Sequence, residues 1–180
     1  GITMIAENRE RADWQQAVFD ALKQGGIAQI AYVPDAGHSK AILAAKADPD
    51  IADVVLTTEE EGIGVAAGAW LGGQRAALLM QSSGVGNCIN MFSLLSNCQF
   101  PFLTLITMRG EYAEFNQWQA AMGLKTQAAL ELMGITVMRV SRPEEAQEIV
   151  SAAVDAVFEG GAQIAVLLSQ SLIGRKKWLR

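Results

Sequence analysis

Histidine is almost missing: the 180 residues hold one, His38. A metal site built from several histidines is therefore excluded within this chain. Cysteine is nearly as scarce, with only Cys88 and Cys98. Their separation gives neither a C-x-x-C metal or redox motif nor a disulfide framework, so both read as small buried hydrophobes on one helix. Positive charge is in deficit, 14 Lys and Arg against 19 Asp and Glu, for a net charge of -5. Nucleic acid is thereby an unsuitable partner, because phosphate binding needs clustered bases that displace counterions. Only the end, Arg175-Lys176-Lys177-Trp178-Leu179-Arg180, is basic. No apolar run reaches bilayer length, and Gly1 to Arg11 lack the apolar segment of a signal peptide. The expectation is a cytoplasmic protein with no membrane partner.

What the chain does have is apolar content, 51% of its residues. That suffices for one well-packed core and not two, so 1–180 is expected to be a single domain, with 1–10 flexible and 171–180 a basic tail. Apolar residues at helical spacing predict a helix from Arg11 to Gly25, stopped by Gly25-Gly26. Strands are predicted at Gln29–Val33, Val54–Thr58, Ala76–Met80, Phe102–Thr107, Thr136–Val140 and Ile164–Ser169. Between them lie helical stretches at Lys40–Ala47, Gly62–Leu71, a segment ending near Cys98, one ending at Met133, and Pro143–Glu159. Gln81 to Asn87 reads as the next strand-to-helix loop. Unbroken alternation of strand and helix predicts an α/β fold with a doubly wound, largely parallel six-stranded sheet flanked by helices.

The chain is organised around Thr57-Thr58-Glu59-Glu60-Glu61-Gly62, where Val54-Val55-Leu56 delivers three acids to a strand-to-helix corner. In an open parallel sheet, ligands bind at the carboxyl ends of strands. Four such loops carry His38, the glutamates, Gln81 with Ser82, Ser83 and Asn87, and Arg109. Familiar glycine motifs do not fit. After Gly62-x-Gly64 the third glycine, Gly68, falls one place late for a dinucleotide fingerprint, and after Gly84-x-Gly86 Ile89 takes its position. A G-x-x-x-x-G-K phosphate loop is absent, and the serines lack the G-x-S-x-G elbow of α/β hydrolases.

Taken together, Thr58-Glu59-Glu60-Glu61-Gly62-Ile63-Gly64-Val65-Ala66-Ala67-Gly68 and Met80-Gln81-Ser82-Ser83-Gly84-Val85-Gly86-Asn87 resemble the pyrimidine-binding domain of thiamine-diphosphate-dependent 2-oxo acid decarboxylases. The likeness leans toward sulfopyruvate decarboxylase alpha subunits and phosphonopyruvate decarboxylases. Val33-Pro34-Asp35, Arg109-Gly110-Glu111, Glu114-Phe115-Asn116, Gln119 and Met122-Gly123 extend it. This resemblance implies that Glu59 hydrogen-bonds N1' of the cofactor's aminopyrimidine and promotes formation of the thiazolium ylid. Burial against Val55 and Leu56 would raise its pKa, and the helix N-terminus would lower it. Gln81, Ser82, Ser83 and Asn87 are cofactor-lining candidates. His38 is a proton-relay or substrate-contact candidate. Arg109 and Gln119 are substrate-binding candidates, although Arg109 to Glu111 also reads as a local ion pair. Relatives hold magnesium and diphosphate through a G-D-G and a downstream Asn, which this chain lacks. The resemblance therefore implies a beta subunit supplying that half, an α2β2 or larger assembly, and turnover of a small anionic 2-oxo acid only in the complex. Carboligation is the related enzymatic alternative, and a non-catalytic partner-binding or regulatory domain is the alternative from another class.

Overall fold

Continuous apolar runs such as Ala76 to Met80 suit strands covered on both faces, and the chain uses them so. The computed structural model describes residues 14–174. Both the flexible segment expected at 1–10 and most of the basic tail lie outside that range. Helix α1 covers 14–24 and stops at Gly25-Gly26. There follow β1 (Ile27–Tyr32), a 3-10 turn (Ala36–His38), α2 (Ser39–Ala47), β2 (Ala52–Val55), α3 (Glu61–Leu71) and β3 (Arg75–Gln81). Then come α4 (Ser82–Cys88), α5 (Ser93–Cys98), β4 (Phe102–Thr107), a 3-10 turn (Gln117–Gln119), α6 (Ala120–Gly123) and α7 (Thr126–Leu132). The described chain closes with β5 (Thr136–Val140), α8 (Ala146–Phe158), β6 (Gln163–Leu168) and α9 (Gln170–Ile173).

All six strands pair in parallel, in the order β2-β1-β3-β4-β6-β5. After β1 the chain moves outward to β2, then returns across β1 to lay down β3. The carboxyl ends of β1 and β3 therefore flank a point where the winding reverses, which is where such sheets open a crevice. One face of the sheet packs α1, α2 and α8 through Trp14, Leu22, Ile42, Val150 and Val154. The other packs α3, α4, α5 and α7 through Ile63, Val85, Leu95 and Leu130, with Phe92 edge-on to Phe102 at 6.2 Å. Each such buried side chain contributes about 1.5–3 kcal/mol.

Several expectations change. Ser82 to Cys98 is two short helices separated at residues 89–92, and α4 begins directly at the end of β3 with no loop between. Cys98 is exposed, whereas Cys88 is buried as expected. Within the stretch expected as a tail, α9 ends at Ile173 and buries Leu172, and 175–180 lie outside the described residues.

Candidate active site

Helix α3 carries Glu59 to its place. The helix lies across β3 and β1, and the turn that leads into it brings Glu59 onto α4. Tight packing makes this possible: a methyl group on Gly62 would sit 2.3 Å from Leu78 Cδ1. At the corner the three acids separate. Glu61 Oε2 accepts the Thr57 backbone N–H at 2.9 Å, tying down the helix start. Glu60 accepts the Thr58 hydroxyl, which holds its carboxyl below the usual range. Glu59 instead runs over Gly84, where a methyl group would stand 2.5 Å from Cγ, Cδ and Oε1. Its Oε2 accepts Asn87 Nδ2 at 2.9 Å. Val55, expected to shield this acid, is 58% exposed, whereas Leu56 is buried. Beneath α4 the Cys88 thiol is pushed up to about 12, by burial first and then by the charges of Glu59 and Glu60. It is no nucleophile at neutral pH.

A second group of side chains stands at the ends of β1, β3 and β4. Asp35 Oδ2 accepts the Gly37 N–H at 3.0 Å and the Thr107 hydroxyl at 2.8 Å, and Oδ1 accepts Gln81 Nε2 at 2.9 Å. Gln81 Oε1 in turn accepts the Ser83 hydroxyl at 2.9 Å and Gln119 Nε2 at 2.7 Å. The remaining amide oxygen of Gln119 is buried and has no hydrogen-bond partner among the described residues.

Other candidates are engaged elsewhere. Ser82 is fully buried, and its hydroxyl accepts the Arg109 N–H at 3.1 Å, joining α4 to the loop after β4. His38 is 2% exposed, with Nε2 3.1 Å from the Met80 carbonyl oxygen, so its ring faces the sheet and not the crevice. Desolvation is the main cause that lowers its pKa, outweighing the nearby Asp35 charge, and the imidazole is neutral. Arg109 does not pair with Glu111. It forms a two-pronged pair with Glu114, at 3.0 Å from Nε and 2.5 Å from Nη2. Glu111 pairs with Arg139 at 2.7 Å. Glu114 also accepts the N–H groups of Gly110 and Asn116 and the amide of Gln170. Burial would raise its carboxyl, but those donors outweigh it and hold it at about 2.

Asp35, Glu114 and Gln170 are hubs; the first two stand in motifs that extend the resemblance but carried no assigned role, and Gln170 stands in none. An Asp after a Pro reads as a turn former, and the partners of all three lie far along the chain or inside an irregular loop. The spacing Pro34-Asp35 followed by Gly37 was the available signal.

The pieces fit an aminopyrimidine. They comprise a carboxylate held at one oxygen, a glycine floor that any side chain would fill, and an amide oxygen lacking a donor. Among the described residues no three His, Cys, Asp or Glu side chains converge. Nor, among them, is any helix long and apolar enough to cross a membrane.

No family model matches the chain. The sulfopyruvate decarboxylase subunit alpha of Methanothermobacter thermautotrophicus is 36% identical over 162 residues, covering 89% of this chain and 98% of the relative. Phosphonopyruvate decarboxylase of Streptomyces viridochromogenes is 36% identical over 95 residues, which is 52% of this chain and 24% of the relative. The structure of 2-oxoglutarate:ferredoxin oxidoreductase from Magnetococcus marinus superposes with a TM-score of 0.69 over 92% of this chain and 31% of that one, at 14% identity. That likeness is one of fold.

Proposed function

The chain belongs to the family of sulfopyruvate decarboxylase alpha subunits, and on that premise we propose that it is the pyrimidine-binding subunit of a thiamine-diphosphate-dependent decarboxylase. Its substrate is a small anionic 2-oxo acid, sulfopyruvate first and phosphonopyruvate second. The observation that carries this reading is Glu59, fixed over Gly84 by Asn87 at the carboxyl edge of a parallel sheet.

Glu59 would hold the pyrimidine ring nitrogen and share a proton with it. Asn87 orients that carboxylate by donating to Oε2, leaving Oε1 on the Gly84 side. Gln81 and Ser83 form the polar wall beside it, and Gln119 continues that wall. Ser82 acts one step back, by joining α4 to the Arg109 loop. We assign His38 a positioning role in place of proton relay, since its ring holds the Met80 carbonyl and is shut off from the crevice. Arg109 keeps Nη1 outside its pair with Glu114 and lines a pocket with Asp35, Thr107, Phe115 and Gln170. That edge of the guanidinium suits the substrate's anionic end. When bound, thiamine diphosphate supplies an electron sink for the carbanion left by loss of CO2.

A beta subunit bearing the diphosphate and magnesium site completes the centre, in an α2β2 or larger assembly. The test is coexpression with that subunit and measurement of CO2 release from both acids. Glu59→Gln is expected to lower turnover by roughly 10²–10⁴-fold, the range for a lost proton-transfer group. Turnover at the wild-type level in that variant refutes the assignment.

A further inference from the structure

The hydrogen bonds that run from Asp35 have a direction. A carboxylate only accepts, so Gln81 must turn its NH2 group toward Asp35 and its oxygen away. That oxygen already takes the Ser83 hydroxyl, and it obliges Gln119 to turn its own NH2 inward. The amide of Gln119 is then left with its oxygen outermost, buried and without a donor among the described residues. Neither amide can be flipped alone, because each flip would set two acceptors face to face. An orphaned buried acceptor costs about 1–3 kcal/mol, and native proteins hold few of them.

We propose that Asp35 is a positioning residue which, through Gln81, fixes Gln119 to present a hydrogen-bond acceptor to an N–H group of the bound cofactor. The inference rests on the decarboxylase reading and deepens it. Sulfopyruvate carries only acceptors at neutral pH, so it repels this oxygen. An aminopyrimidine carries N–H donors. The relay therefore separates the cofactor's end of the crevice from the anion's end, and it does so with no charge at Gln119 itself.

Asp35→Asn inverts the relay without changing its shape. The asparagine oxygen keeps Gly37 and Thr107, its NH2 faces Gln81, and both glutamine amides turn over, so that Gln119 presents NH2 instead of oxygen. In the assembled complex, calorimetry should show thiamine diphosphate binding weakened by roughly 10- to 100-fold. Asp35→Asn combined with Gln119→Glu restores an acceptor at the same place, since the turned Gln81 now donates to the new carboxylate. The double variant should recover binding to within about threefold of wild type, a non-additivity that a merely structural Asp35 would not give. Gln119→Glu alone sets an oxygen against Gln81 Oε1. The acid form relieves this, so cofactor binding should persist at low pH and fall as pH rises.

Unchanged cofactor affinity in Asp35→Asn, a rise confined to KM for the oxo acid, or absence of rescue overturns the proposal. If Asp35→Asn fails to fold, the pH profile of Gln119→Glu decides, and a flat profile overturns it. Hydrogen exchange of the Gln119 side-chain NH2, read by NMR on the full chain alone, should be slow in wild type and fast in Asp35→Asn. That measurement separates the two levels: failure of the wild-type complex to bind thiamine diphosphate sinks the functional reading, whereas unaltered exchange sinks the relay.

Discussion

Gly84 shows how little room the acid has. Adding one methyl group would displace the Glu59 side chain, since Cγ, Cδ and Oε1 all lie 2.5 Å from it. Gly84→Ala is expected to cut turnover of the complex by about 10²-fold, as an ångström of misplacement can. The melting point of the chain alone should shift far less than for a core truncation, because Glu59 is half-buried and can move aside. Parallel melts and CO2 assays check both. His38 gives a second test at this scale. Its folded pKa lies below the ordinary 6.5, so the neutral ring contributes stability that is present above that value and lost as pH falls through the folded pKa. His38→Asn should flatten that acid-side loss in denaturant titrations at stepped pH. The position of Glu59 was legible in the sequence because it sits inside a short contiguous motif. Asp35 was not, since its partners Gln81 and Thr107 are 46 and 72 residues away and only the fold brings them near.

The loop between β4 and α6 is held by one carboxylate. Glu114 is 5% exposed and Arg109 12%, and five hydrogen bonds converge on the acid. Beside it Ala113 sits in the left-handed region at φ 46°, a conformation that costs about 1–2 kcal/mol and needs such an anchor. Glu114→Gln leaves Arg109 without its charge partner, and breaking a buried pair this way costs about 3–5 kcal/mol. The loss should be local: faster hydrogen exchange across 109–119, with slower change in β3 and β4. The pH dependence has a fixed sign. The carboxyl is lowered from 4.5 to about 2, so its stabilisation is complete above the former and disappears as pH falls toward the latter. At this scale the strands and long helices followed from apolar periodicity. The pairing of Arg109 did not, because an irregular loop has no period from which to count. The stretch Gln81 to Asn87 misled too, reading as a loop when α4 begins at Ser82 and uses Gly84 for close approach to Glu59.

Across the whole molecule, alternation of strand and helix gave the parallel sheet, but not the order of its strands. That order depends on which side of β1 the third strand returns to, and local pattern does not encode it. The crevice at β1 and β3 follows from that choice. Trp118 lies beside Gln119 at the same edge and is 79% exposed, with Tyr112 at 55% and Leu124 at 72%. On the proposed reading, the beta subunit closes over this edge. Tryptophan emission should therefore shift to the blue on mixing the subunits, and Trp118→Ala should abolish that part of the shift. The chain alone should release no CO2.

Because Glu59 sits in the turn that opens α3, its carbonyl accepting the Gly62 N–H at 3.0 Å, the frame that matters is counted from the helix and not from the strand before it. One extra amino acid after Leu56 would be taken up as slack in the connection. The same insertion after Glu61 would break that turn and carry the carboxylate off Gly84 and Asn87. Two sequences of equal length and composition would then differ only in the side of residues 57–61 on which the extra residue stands, and one of them would lose the acid's bearing.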